Sequence, residues 1–183
     1  RYAKQAERIL SGIARNYPDF AWKFDFPFRK VEWEKGVPAK LRPSFRTSRL
    51  TWWGYLDIPR NLVLAYDLVK PQVTNSKAIE DFFRESCTGV LANPEKFSNM
   101  SPVFWTDLII VGRVIGDRNY VNIALERSKK FMNSFFHFDG FWREAAFSYH
   151  QQSANLIRRA TEYLRGYDNF DTARDFPELA AAL

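Results

Sequence analysis

The stretch SPVFWTDLIIVGRVIGDRNYVNIALERSKKFMNSFF, residues 101–136, decides the fold class. It opens on Ser101-Pro102, a cap residue followed by proline in the first turn, where a missing N–H costs nothing. Helix is then predicted from Phe104 to Ile115, and Gly116-Asp117 is a tight stop. A second helix runs from Tyr120 to Phe136, with Val121, Ala124, Leu125, Phe131, Met132 and Phe135 at helical spacing. Two helices joined by so short a turn lie antiparallel, as a hairpin.

Working outward, the same grammar repeats. Residues 3–16 form an amphipathic helix, with Ala6, Ile9, Leu10, Ile13 and Ala14 on one face, and Pro18 ends it. Pro59 sits well as an early helix residue before Asn61 to Val69, and Pro71 closes that segment. Thr74 or Asn75 is placed to cap a helix holding Ile79, Phe82, Phe83, Cys87, Val90 and Leu91. Asp139-Gly140 is a turn, Ser148 to Tyr163 a further helix, and Thr172 to Leu183 a last one. Strand signal is confined to residues 20–33 and 44–48, inside a Pro- and aromatic-rich irregular segment over 18–49. The expected fold class is all-α, built of antiparallel helix hairpins in a barrel or curved array. No strict period supports a solenoid of identical repeats.

Composition narrows the function classes. The 183 residues suit one compact domain, residues 1–183, and 46% hydrophobic against 26% charged argues against disorder. No apolar run approaches the ~20 residues of a membrane helix, so no membrane span is expected. Cys87 is alone, which excludes a disulfide framework and points to a buried thiol. Aromatic residues make up 17% and the net charge is +6, a surplus that suits a flat-faced, anionic partner. Acidic polysaccharide and nucleic acid both qualify. The Lys and Arg residues are scattered rather than aligned on one helix, which argues against nucleic acid. The chain opens at Arg1 inside helix-like sequence, which suggests a processed protein or a piece of a longer one.

Standard catalytic motifs are absent. His137 and His150 stand thirteen residues apart without carboxylates at metal-ligand spacing, so neither metal nor cofactor is expected. The densest polar and aromatic segment is DGFWREAAFSYHQQS, residues 139–153, at a turn-to-helix boundary where a helical bundle exposes side chains to ligand. Read without a ligand, the same segment is a cap and a helix start, with Glu144 balancing the helix N-terminus and Tyr149 half-buried.

That segment resembles the Asp-Gly-…-Glu-Gly-Ser-…-Tyr-His region of the heparinase II/III-like and related alginate lyases. LDIPRNLVLAYDLV, residues 56–69, resembles their helix reading Ala-Tyr-Asp-Leu, and SNMSPVFWTDLIIVGRVIGDRNYVNIAL, residues 98–125, their Asn-bearing helix start and hairpin. The resemblance spans roughly Trp52 to Tyr163, with the three motifs in order. It implies an (α/α) toroid, of which this chain is an N-terminal part or a reduced form, with further domains in a longer enzyme. It also implies β-elimination on a uronate-containing acidic glycan in the periplasm or outside the cell. The alternative is an acidic-glycan-binding or scaffold module that kept the fold without catalysis.

Within the resemblance, Asn99 matches the amide that neutralises the substrate carboxylate, and Tyr149 matches the catalytic tyrosine. A free phenol titrates near ~10 and needs cationic neighbours to act as a base near neutrality. Arg143 and His150 are the local candidates. Glu144 and Gln151 are candidate substrate contacts, and Trp52, Trp53 and Trp142 candidate platforms for sugar faces, at least one of them belonging to the core. Two departures stand out. Glu144-Ala145-Ala146 replaces Glu-Gly-Ser, and Asn99 is followed by Met100 where several relatives carry histidine. Without a ligand, Asn99 is a helix cap ahead of Pro102.

Overall fold

The computed structural model describes residues 2–20, 49–50, 58–92, 99–144 and 146–183. Among these the architecture is all-α, with helices and short turns and no strand longer than an isolated bridge. No helix among them is long and apolar enough to cross a membrane. Of the expected strand segments at 20–33 and 44–48, all but Phe20 lie outside the described residues, as do Trp52 and Trp53. The chain divides into two compact units, residues 1–95 and 96–183.

In the first unit, α1 (Tyr2–Asn16) packs on α2 (Arg60–Val69) and α3 (Ser76–Ala92). Its core is aromatic. Tyr17 meets Phe82 edge-on at 4.8 Å, Phe82 meets Phe83 at 5.2 Å, and Phe83 meets Tyr66 at 5.5 Å. Such edge-to-face pairs add to plain area burial. Cys87 is fully buried, the bland thiol its neighbours predict. The buried Tyr66 hydroxyl donates to Glu80 Oε1 at 2.9 Å. Burial first, and that carboxylate second, push its phenol well above the ordinary tyrosine range.

Helix α3 starts at Ser76, directly after the expected cap residues, but its capping side chain is a different one. The capping role falls to Glu7 on α1, not to a side chain of Thr74 or Asn75. Its Oε1 accepts from the backbone N–H groups of Thr74 (2.7 Å) and Asn75 (3.0 Å) and from the Thr74 hydroxyl (2.6 Å). A carboxylate at a helix N-terminus satisfies orphan donors and meets the positive end of the dipole. These bonds, the Thr74 hydroxyl foremost, hold the Glu7 carboxyl below its usual value.

In the second unit, α4 (Ser101–Ile115) is the central helix and packs on α5 (Arg118–Phe135) and α6 (Phe147–Leu164). Gly116 takes φ +76° and ends α4, as its place in the sequence predicts. Asp117 then caps α5, accepting from Asn119 N–H at 3.0 Å, so α5 begins two residues earlier than its apolar pattern. At the head of α4, Met100 holds the cap position with no side-chain cap bond, and Ser101-Pro102 form the first turn instead of the cap. The last predicted helix is two short ones, α7 (Thr172–Asp175) and α8 (Leu179–Ala182), with Pro177 between them.

Candidate functional site

The site is built where α5 ends and α6 begins. A tight hairpin joins them, with one antiparallel bridge between Phe136 and Trp142. His137 N–H donates to Phe141 C=O at 2.8 Å, and Gly140 N–H to His137 C=O at 2.9 Å. Asp139 Oδ1 accepts from Phe141 N–H at 3.0 Å. Gly140 has φ +82°, and a Cβ there would lie 2.5 Å from the backbone of Ala181 in α8. The Asp-Gly pair is therefore required twice, for its turn and for its close approach.

Trp142 anchors this hairpin and is fully buried among Phe131 (5.1 Å), Phe136 (5.5 Å) and Phe135 (6.1 Å). Its faces are occupied, so it is not a sugar platform; it is a member of that tryptophan set that belongs to the core. Its Nε1–H donates to Glu144 Oε2 at 3.0 Å, which ties the exposed Glu144 to the anchor.

His150 is half-buried in the same cluster. Its ring stacks on Phe141 at 4.5 Å and 8°, with Phe136 and Phe147 at 6.3 and 6.4 Å. Nδ1 accepts from Trp142 N–H at 3.2 Å, which leaves the ring proton of the neutral form on Nε2. The exposed Arg143 lays its guanidinium over the Phe135 ring at 4.0 Å and carries no ion pair among the described residues. Its donor fork is available for an anion.

Tyr149 stands in the first turn of α6 and is 47% exposed. Gln151 is exposed beside it. Gln152 lies three positions after Tyr149, on the same helical face. Its Oε1 accepts from Asn99 Nδ2 at 3.1 Å, and its Nε2 lies 3.4 Å from Met100 Sδ. The fold thus brings Asn99 into hydrogen-bond contact with Gln152, which lies one helical turn along α6 from Tyr149. Asn99 makes no cap to α4; its amide turns toward α6 instead.

Sequence reasoning missed two features. Gln152, not its neighbour Gln151, is the residue that meets Asn99, and its three-residue spacing from Tyr149 marks the shared face. Phe138 at the hairpin tip and Phe147 at the start of α6 are both strongly exposed, at 104% and 66%. Alternation of apolar residues gives no signal for an exposed aromatic in a turn. Among the described residues no group of three or more His, Cys, Asp or Glu is placed to hold a metal ion.

No family model matches the chain. Among curated proteins it is similar to the adhesin P1-like protein of Mycoplasma pneumoniae (strain ATCC 29342 / M129 / Subtype 1). The two are 27% identical over 104 residues, covering 52% of this chain and 82% of that protein. No solved structure matches it.

Proposed function

We propose that the chain is the helical part of a polysaccharide lyase that cleaves a uronate-containing acidic glycan by β-elimination. The observation that carries this reading is the Asn99–Gln152 hydrogen bond, one helical turn from Tyr149. It ties Asn99, which the lyase resemblance assigns to chemistry, to the helix that carries Tyr149, the other residue so assigned. The reading includes the (α/α)-toroid fold, a place in a longer enzyme and a periplasmic or extracellular setting, where such polymers are met.

The chemistry begins with a poorly acidic C5 proton beside a charged carboxylate. An Asn99 N–H donated to that carboxylate disperses its charge and makes the proton easier to remove. Tyr149 as phenolate takes the C5 proton. The C5 electron pair forms the C4–C5 double bond as the C4–O4 bond breaks, and the Tyr149 hydroxyl returns the proton it took to the departing O4. Arg143 is the cation proposed to favour this step, and His150 offers its Nε2–H to a sugar oxygen.

The test is incubation with a panel of polyuronates, watching for ultraviolet absorbance from the new double bond. The expected result is a rising signal that Tyr149→Phe lowers by about a hundredfold or more. A signal indifferent to Tyr149→Phe removes the site and keeps the chemistry. Silence on every polymer overturns the catalytic reading.

A second reading, an acidic-glycan-binding module without turnover, is favoured by the exposed Phe138 and Phe147 beside an unpaired Arg143. The name of the Mycoplasma pneumoniae relative points the same way. Retention on immobilised polyuronate with no absorbance, unchanged in Tyr149→Phe, is its signature.

A further inference from the structure

We infer that Gln152 is a positioning residue that fixes which end of the Asn99 amide faces the ligand, an inference that rests on the lyase reading of this site. An asparagine side chain is nearly symmetric in shape but not in chemistry: one atom donates and the other accepts. Turned one way it stabilises a carboxylate; turned the other way it repels it.

Two links decide the matter here. Gln152 Oε1 accepts from Asn99 Nδ2 at 3.1 Å, so the Asn99 nitrogen is held at α6, and its second N–H has no hydrogen bond among the described residues. Gln152 has the same two-fold ambiguity, and Met100 resolves it. The thioether Sδ, 3.4 Å from Gln152 Nε2, is a weak acceptor and carries no proton, so the Gln152 amino group faces it and the carbonyl faces Asn99. Met100 is also the residue that departs from the histidine of several lyases. In this chain that position serves to orient the amide pair. The Met100–Gln152–Asn99 series is a polarity lock one helical turn from Tyr149.

The test uses the full chain, alginate and a heparin-like polymer as polyuronates, and their carboxyl-reduced forms as neutral controls. Gln152→Met keeps the length of the side chain and removes the acceptor. It is expected to lower kcat/KM about tenfold with an unchanged melting temperature. It is also expected to weaken retention on the polyuronate while leaving retention on the carboxyl-reduced polymer unchanged. In an Asn99→Ala background the same substitution is expected to have no further effect. Gln152→Glu restores an acceptor for Asn99, so kcat recovers while its negative charge raises KM for the polyanion. A purely structural role for Gln152 gives neither the split between kcat and KM nor the dependence on Asn99.

Wild-type kcat, KM and retention in Gln152→Met overturn the inference alone, as does an equal loss in the Asn99→Ala background. A wild-type protein that neither retains nor cleaves any polyuronate overturns the lyase reading and the inference with it. Should Gln152→Met fail to fold, Gln152→Glu carries the test: loss of kcat with unchanged KM overturns the proposal.

Discussion

Helices α4 and α6 pack against each other and are of similar length, yet they are used differently. In α4 eleven of fifteen residues are buried, including Trp105 and the run from Leu108 to Val111. In α6 the first fully buried residue is Ser153, and the turns before it carry Phe147, Tyr149, His150 and Gln152 at or near the surface. A helix buried on every side has no face left for a ligand, whereas one buried only in its second half holds a rigid tip in solvent. The contrast separates the residues that hold this unit together from those able to do chemistry.

The largest effect expected of breaking this contrast is in α4. Trp105 is fully buried and meets Phe131 edge-on at 5.2 Å. Trp105→Ala should cost about 3–5 kcal/mol in urea unfolding, by lost burial and the cavity left behind. Gly140→Ala is next. It forces a left-handed backbone on alanine and drives a methyl group into Ala181, for a loss of roughly 2 kcal/mol or more. A thermal melt of the variant checks it, and an unchanged midpoint would mean that the hairpin does not lean on α8.

A smaller effect comes from acid. Asp175 in α7 accepts from Lys129 Nζ at 2.8 Å, from Asp171 N–H at 3.0 Å and from Arg174 at 2.7 Å. The Lys129 bond foremost holds its carboxyl well below the usual range. A carboxyl lowered in the folded state adds stability above its ordinary value of ~4 and loses it as pH falls below that. The melting temperature should therefore drop between pH 5 and pH 2, and Asp175→Asn should flatten that drop. The smallest effect belongs to the tip of α6. Phe147→Ser should change stability by no more than about 0.5 kcal/mol, because the ring is mostly in water. The same substitution should weaken retention on polyuronate if the exposed ring serves a ligand.

The helices were legible because apolar spacing is a local property. The α4–α5 hairpin, Gly116 as the stop and the Asp139-Gly140 turn follow from neighbours in the chain. Caps were less legible than starts: α3 begins at Ser76, next to the expected cap residues, but the side chain that bonds there is Glu7 of another helix, and Met100 rather than Ser101 stands at the cap position of α4. Asn99 and Tyr149 could be named from a resemblance, but the contact of Asn99 with Gln152 on the helix of Tyr149 depends on how α4 packs on α6, which no local pattern encodes. The burial of Trp142 was equally out of reach. Its neighbours in sequence, Arg143 and Glu144, are exposed, and only the ring cluster of α5 reveals its place.

The Glu7 cap carries a consequence for the order in which the chain folds. The carboxylate reaches the start of α3 across sixty-seven residues, so that helix gains its cap only after a long loop has closed. The α4–α5 hairpin, by contrast, closes through Gly116 and Asp117 among immediate neighbours. Local closure is fast and distant closure slow. Residues 101–135 should therefore acquire amide protection from hydrogen exchange early in refolding, and the first turn of α3 late.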